Sequence, residues 1–255
     1  GSGSFNTLTN LDFRVLKARD VPFIGFSNIS ILLNGFEKEG VKSLYSGPTL
    51  SSLVGYSSAA TIQRIHDVLA GADLASTQLG VLRAPSAPVS GKPLGGHFPS
   101  LCRLPVAQMP DATGRIMFLE VNSPYTYATA VAAFDTLHAT GWLDNAAAIV
   151  LGDMTIDGTS AEKNALRAHI TDAVTCPVFS GYPYGHGANS LTLDFARPLT
   201  ISTSGLLTWQ SNAPAPQPQP KSAPASGTVV IAPGNGVATN VTDYFSGDVN
   251  LVVNQ

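Results

Sequence analysis

The sequence predicts an α/β protein: a partial parallel-sheet nucleophile domain, then a mixed α/β C-terminal catalytic domain, then a short β tail. Three observations carry this. Apolar runs of strand length, at residues 21–24, 115–121 and 146–151, alternate with segments whose apolar residues recur at helical spacing. Residues 212–226 are a Pro/Ala/Gln stretch of extended, semi-rigid composition, so the chain changes character there. With 255 residues the chain has room for one or two domains and a sizeable core.

Taken in order, residues 8–17 have a mixed apolar pattern that predicts one short helix. The run 21–24 reads as a buried strand, broken by Gly25 and the polar pair Ser27 and Asn28. Ile29, Leu32, Leu33 and Phe36 then follow at helical spacing, with Gly40 as the C-cap glycine. Residues 41–44 are a second strand, turned by Ser46-Gly47-Pro48. Residues 58–69 are a helix capped by Ser58, with Ile62, Ile65 and Leu69 on one face.

Residues 74–114 are rich in Gly and Pro and predict a loop-rich β segment at a domain junction, with a short helix at 98–104. Residues 115–121 form a buried strand ending in a carboxylate. Residues 126–139 form a helix with Val131, Phe134 and Leu137 inward, and 146–151 another strand before Gly152 and Asp153. A helix at 161–173 and a strand at 176–179 lead into Gly181-Tyr-Pro-Tyr-Gly-His186. Short antiparallel strands at 191–193, 199–201 and 206–209 end the domain. The expected domains are therefore 1–73, 74–211, a linker at 212–226 and a β-rich tail at 227–255, which can dock on the nucleophile domain.

Composition excludes several functions. Charged residues make up 12%, against about 25% in a typical domain, and the net charge is −3. There is no basic footprint for nucleic acid or for an anionic membrane. No apolar run approaches the ~20 residues of a membrane span, and none reads as a signal peptide. Cys102 and Cys176 stand far apart and read as two buried thiols, not as a metal site.

Three residue types suited to acyl transfer stand at element ends: Ser27, Glu120 and His186. Ser27 lies where a strand turns sharply into a helix, which lifts a hydroxyl off the sheet and aims a helix N-terminus at developing negative charge. From this stretch alone the plainer reading is a helix N-cap, since Gly-x-Ser without a second glycine is a weak nucleophile pattern. Glu120 also reads as a salt-bridged carboxylate, and His186 as a loop histidine between two glycines. Gly55-Tyr56-Ser57 copies the Gly-aromatic-Ser pattern after a weaker strand. His66, His97, His138 and His169 read as structural, His97 being the one to watch because it follows Gly95-Gly96.

The stretch Pro-Phe-Ile-Gly-Phe-Ser-Asn at 22–28, with Ser-Gly-Pro at 46–48, resembles the nucleophile segment of the LD-carboxypeptidases. These serine peptidases include muramoyl-tetrapeptide carboxypeptidases and microcin C self-immunity proteins. Residues 91–96, 115–120, 141–144, 149–152 and 181–186 are similar to later motifs of that family, in the same order, through about residue 205. Departures are Asn28 and Asn122, where acidic residues are usual, and Asp194-Phe-Ala196 in place of Pro-Leu-Gly. The chain also starts inside a glycine turn that family members reach after roughly ninety residues. A faint likeness of 228–235 to the family's opening strand fits either a permuted chain or an added tail.

The resemblance implies a Ser27–His186–Glu120 triad that hydrolyses an L,D-amide bond, releasing terminal D-Ala from peptidoglycan tetrapeptides. It implies an oxyanion site from the Asn28 backbone N–H and from Gly1 or Gly3, with Gly96 near the substrate, and neither metal nor cofactor. The expected partner is a small muropeptide, with no nucleic acid and no membrane; a homodimer is left open. Location is expected to be cytoplasmic, with export as the alternative. Two other readings stay open: an amidase of peptidyl or aminoacyl nucleotides, for which Trp142 or Trp209 would need to stack on a base, and a non-catalytic binder of cell-wall peptides.

Overall fold

The structure, a computed structural model, describes residues 3–19, 21–211, 229–231 and 251–253. It has two compact units, Gly1–Asn212 and Ala213–Gln255. The first unit opens with α1 (Ser4–Leu8) and α2 (Phe13–Arg19), then β1 (Phe23–Gly25), a single 3-10 turn at Ser27–Ile29, α3 (Ser30–Lys38), β2 (Leu44–Ser46), α4 (Leu50–Gly55) and α5 (Ala59–Leu69). Strands β3 (Thr77–Gln78), β4 (Gly80–Arg83), β5 (Val89–Gly91) and β6 (Pro93–His97) follow, with α6 (Phe98–Leu101). The rest is β7 (Ile116–Asn122), α7 (Tyr127–His138), β8 (Ala148–Thr155), α8 (Ser160–Ala173), β9 (Val178–Ser180), β10 (Leu193–Asp194), β11 (Leu199–Ile201) and β12 (Leu206–Trp209). In the second unit β13 (Val229–Ile231) pairs in parallel with β14 (Leu251–Val253). The linker 212–226 and the turn 233–236 lie outside the described residues, as does the expected docking of the tail.

The main sheet has the order β4-β9-β8-β7-β6, parallel except for the edge pair β4–β9. Its two faces carry different residues, as period-2 alternation requires. Met117, Leu119 and Val121 of β7 face one apolar core, shared with Phe134 and Leu137 of α7 and Leu166 and Ile170 of α8. Ile116 and Phe118 face a second core, shared with Tyr182, Tyr184 and the inner residues of the antiparallel sheet β3-β12-β11-β5. Glu120 continues the Ile116–Phe118 face. The alternation therefore places its carboxylate under the chain that carries Tyr182 and Tyr184, and His186 lies on that chain.

The strand that leads into Ser27 belongs to a small sheet, β1-β2-β10. β1 and β2 are parallel; β10 closes the edge antiparallel, with Leu193 opposite Ser46. So the strand that follows the His186 loop is paired to the sheet that carries Ser27. The Ser46 hydroxyl and the Tyr184 phenol share a 2.6 Å hydrogen bond across the same junction. Both expected domains thus fall within one compact unit.

Several elements differ from expectation. Residues 8–17 are not one helix: the chain turns at Thr9-Asn10, and Asp12 restarts it as α2 by accepting the Arg14 N–H at 3.0 Å. β2 is shifted to Leu44–Ser46. α5 is capped by Ser58 as expected, but it buries Ile65 and Val68 and leaves Leu69 44% exposed, because buried Arg64 turns that face inward onto Trp209. β8 runs on through Gly152 and Asp153 to Thr155.

α3 packs against β6 through glycine. Gly96 has φ +140, and a Cβ there would fall on the Ser30 hydroxyl. The Asn34 amide donates to the Gly95 carbonyl at 2.8 Å, and the His97 N–H donates to Ser30 Oγ at 3.0 Å. Gly96→Ala is therefore expected to combine backbone strain with an overlap at the first turn of α3, costing about 3 kcal/mol. Urea unfolding checks this; an unchanged midpoint would contradict the packing described.

Candidate active site

The site lies at the carboxyl ends of the parallel strands, where open α/β sheets place their ligands. Glu120 is near the end of β7 and 1% exposed. His186 follows β9 on the glycine-flanked loop. Its Nδ1 and Glu120 Oε2 are 3.0 Å apart. Burial pushes the Glu120 carboxyl above the usual carboxylate range, the hydrogen bond and charge of His186 pull it back, and nearby Asp153 adds to the rise. Glu120 Oε1 has no hydrogen-bond partner among the described residues, so the carboxylate spends its one strong interaction on the imidazole.

Ser27 takes φ +59, a left-handed conformation that costs a non-glycine residue strain. The extended residue before the turn is Phe26, and no side chain caps it. Ser27 is thus inside the first turn and does not act as its N-cap. Gly25 makes the tightness possible by leaving room for Ile29: a Cβ there would fall on the Ile29 side chain. The Phe26 ring packs edge-on against the His186 ring, centroids 4.7 Å apart, which sets the Ser27 turn beside the histidine. Ser27 is half-buried, and no hydrogen bond joins its hydroxyl to His186 in this structure.

Asn28 is buried, and its side-chain oxygen accepts the Ser4 N–H at 3.0 Å. This bond ties the turn at Gly3, φ +94, to the turn that carries Ser27 and Asn28. The Asn28 N–H is in the first turn, where an amide has no intrahelical carbonyl to reach. Gly1 lies outside the described residues. Gly96 is buried against Ser30, so it holds α3 close to β6 and does not line the site with its own surface.

Residues 90–201 match the family model of the LD-carboxypeptidase C-terminal domain. The matched stretch is similar to that domain and spans a little under half of the chain. It contains Glu120 and His186, while Ser27 lies outside it. No curated protein sequence matches the chain. Among solved structures, the muramoyltetrapeptide carboxypeptidase from Oxalobacter formigenes superposes with a TM-score of 0.67 at 22% identity, over 79% of this chain and 72% of that one. An MccF-like protein from Bacillus anthracis str. Ames gives 0.69 at 20% identity, over 83% and 74%. The wild-type apo microcin C7 self-immunity protein MccF gives 0.69 at 21%, over the same shares. At this identity the likeness is one of fold, and it extends the LD-carboxypeptidase architecture beyond the matched domain to most of the chain.

Sequence reasoning left two site residues aside. His97 ends β6 with its ring 5.5 Å from that of His186 and 5.6 Å from Tyr125. Its position after Gly95-Gly96 was the available signal. Asp153 follows Gly152 on β8; a carboxylate after a strand glycine gave no distinct pattern. Burial, reinforced by the His186 charge, pushes the His97 imidazole down to about 3, so it stays neutral.

Unfolded histidine takes a proton near 6.5, whereas folded His97 refuses it until about 3. Between those limits the unfolded state binds more protons, so stability is complete above 6.5 and falls as pH drops. Going from pH 7 to pH 5 should cost the parent about 2 kcal/mol at this group, and His97→Asn should lack that increment. Urea unfolding at both pH values decides it; equal losses in parent and variant would show that His97 is not the responsible group.

Proposed function

We propose that the protein is a serine-type LD-carboxypeptidase that hydrolyses an L,D-amide bond, with terminal D-Ala of a peptidoglycan tetrapeptide as the leaving group. The observation that carries this reading is the 3.0 Å contact between His186 Nδ1 and Glu120 Oε2 beside the strained turn at Ser27. With Nδ1 committed to the carboxylate, Nε2 is the nitrogen left for the nucleophile.

In this mechanism Ser27 Oγ attacks the carbonyl carbon and His186 Nε2 takes its proton. The tetrahedral oxyanion is met by the Asn28 N–H, with the Gly3 turn next to it through the Ser4–Asn28 bond. His186 returns the proton to the leaving amine as the C–N bond breaks. Water then attacks the acyl-serine ester, with His186 again as base. Glu120 holds the ring and stabilises the imidazolium in both halves. The geometry of a resting site need not include a formed Ser–His hydrogen bond, since such bonds tighten with substrate.

A nucleotide amidase of the self-immunity type is the second reading. Stacking on a base by either tryptophan is disfavoured: Trp142 is 8% exposed and donates its indole N–H to the Pro110 carbonyl at 2.7 Å, and Trp209 is 5% exposed under Arg64.

Mass spectrometry of a peptidoglycan tetrapeptide after incubation is expected to show loss of D-Ala with the parent. Ser27→Ala and His186→Ala should each lower the rate by at least about 10³-fold, and Glu120→Gln by about 10²–10⁴-fold. Activity retained by Ser27→Ala would overturn the assignment and turn attention to Ser57. Cleavage of an aminoacyl sulfamoyl nucleotide with the tetrapeptide intact would select the amidase.

A further inference from the structure

Strand β8 is irregular opposite the triad carboxylate. Leu151 pairs with Leu119 and Met154 with Val121, so Gly152 and Asp153 together stand opposite Glu120. Two residues facing one is a β-bulge, and bulges beside active sites re-aim a side chain. Here the bulge turns Asp153 toward the histidine loop. The Asp153 backbone N–H donates to the Tyr184 carbonyl at 2.8 Å. Its side-chain Oδ2 accepts the Gly187 N–H at 2.9 Å. One residue therefore grips the loop on both sides of His186.

The loop backbone also crosses directly over the two carboxylates. Gly185 has φ +133, and a Cβ there would lie 3.0 Å from both Asp153 Cβ and Glu120 Oε2. Gly152 admits the loop from below, since a Cβ on it would fall on the Tyr184 carbonyl. The strand glycine, the bulge and the loop glycine are three features with one result: a second carboxylate against the backbone that flanks His186.

We propose that Asp153 is a positioning residue of the hydrolytic site, which clamps the His186 loop through Tyr184 and Gly187 and sets a second negative charge facing the imidazole. The proposal rests on the reading of His186 as the catalytic base. Glu120 supports the ring from β7 by a direct hydrogen bond, and Asp153 supports it from β8 by charge and by the backbone. Burial raises the Asp153 carboxyl, while the Gly187 N–H and the His186 charge oppose the rise. The titratable groups around the ring are Glu120 on β7, Asp153 on β8, His97 at the end of β6 and Tyr184 on the loop, and His97 is held neutral. The positive charge that His186 acquires as it takes the Ser27 proton is thus met by two carboxylates.

Asp153→Asn separates charge from clamp, because an amide oxygen still accepts the Gly187 N–H. Asp153→Ala removes both. For Asp153→Asn we expect the acid limb of the kcat/KM–pH profile to move toward lower pH, since one nearby carboxylate charge is lost. The plateau kcat should fall about tenfold with KM within twofold. Asp153→Ala should show the same displacement and a further loss of kcat as the loop loosens. Thermal melts confirm that each variant is folded.

The same displacement should be visible without turnover, as a difference between the parent and Asp153→Asn in the pH dependence of the His186 ring proton resonances. This arm keeps the test separate from the proposed reaction: a shifted midpoint with no detectable hydrolysis would support the charge role of Asp153 and count against the peptidase. An Asp153→Asn protein whose midpoint overlays that of the parent would overturn the charge role. A folded Asp153→Ala protein with parental kcat would overturn the clamp.

Discussion

The hydrogen bond between Glu120 and His186 is the interaction on which the arrangement depends, because it joins a carboxylate with almost no solvent to a histidine on a glycine-flanked loop. A buried carboxylate that lacked the imidazole would carry its desolvation cost uncompensated. The fold supplies the pair by simple alternation. Glu120 shares a face of β7 with Ile116 and Phe118, and that face is roofed by Tyr182 and Tyr184, whose rings lie 5.2 and 6.0 Å from Phe118. Apolar packing of those two tyrosines therefore delivers His186, two residues beyond Tyr184, to the carboxylate.

A second constraint brings the Ser27 turn to the pair. Ser27 follows a strand of a different sheet, and three contacts couple that sheet and its helix to the elements around the main sheet: the pairing of β10 with β2, the bond between Ser46 and Tyr184, and the close approach of α3 to β6 at Gly96. Each is short-range and tolerates little change in side-chain size. The local strain at Ser27 persists because the surrounding packing fixes it from both sides, with Ile29 over Gly25 and Phe26 against His186. Here stability and site geometry draw on the same contacts.

Much of this was legible in the sequence. The α/β class, the strands that carry Ser27 and Glu120, the helix caps at Ser58 and the positions of most elements follow from periodicity and punctuation. The proximity of Glu120 and His186, 66 positions apart, came from a resemblance and from element ends, and the structure brings the two together. What periodicity missed is tertiary. Leu69 fits the apolar face of α5 by spacing, yet Arg64 occupies that face because Trp209, the Tyr182 hydroxyl and the Thr192 carbonyl receive its guanidinium. Asp153 escaped notice because a bulge is defined by the partner strand, and no single strand shows its register. His97 was set apart only by two preceding glycines; its neutrality is a product of burial that no local pattern encodes.

The most direct test of this account is the tautomer of His186, read from ¹⁵N and ¹H spectra of histidine-labelled protein at alkaline pH. The account predicts that Nδ1 carries the proton, with a resonance far downfield that disappears in Glu120→Gln, and that Nε2 is bare and faces Ser27. A His186 protonated on Nε2, or spectra that Glu120→Gln leaves unchanged, would mean that the carboxylate does not orient the ring and that the site is not built as a Ser–His–Glu triad.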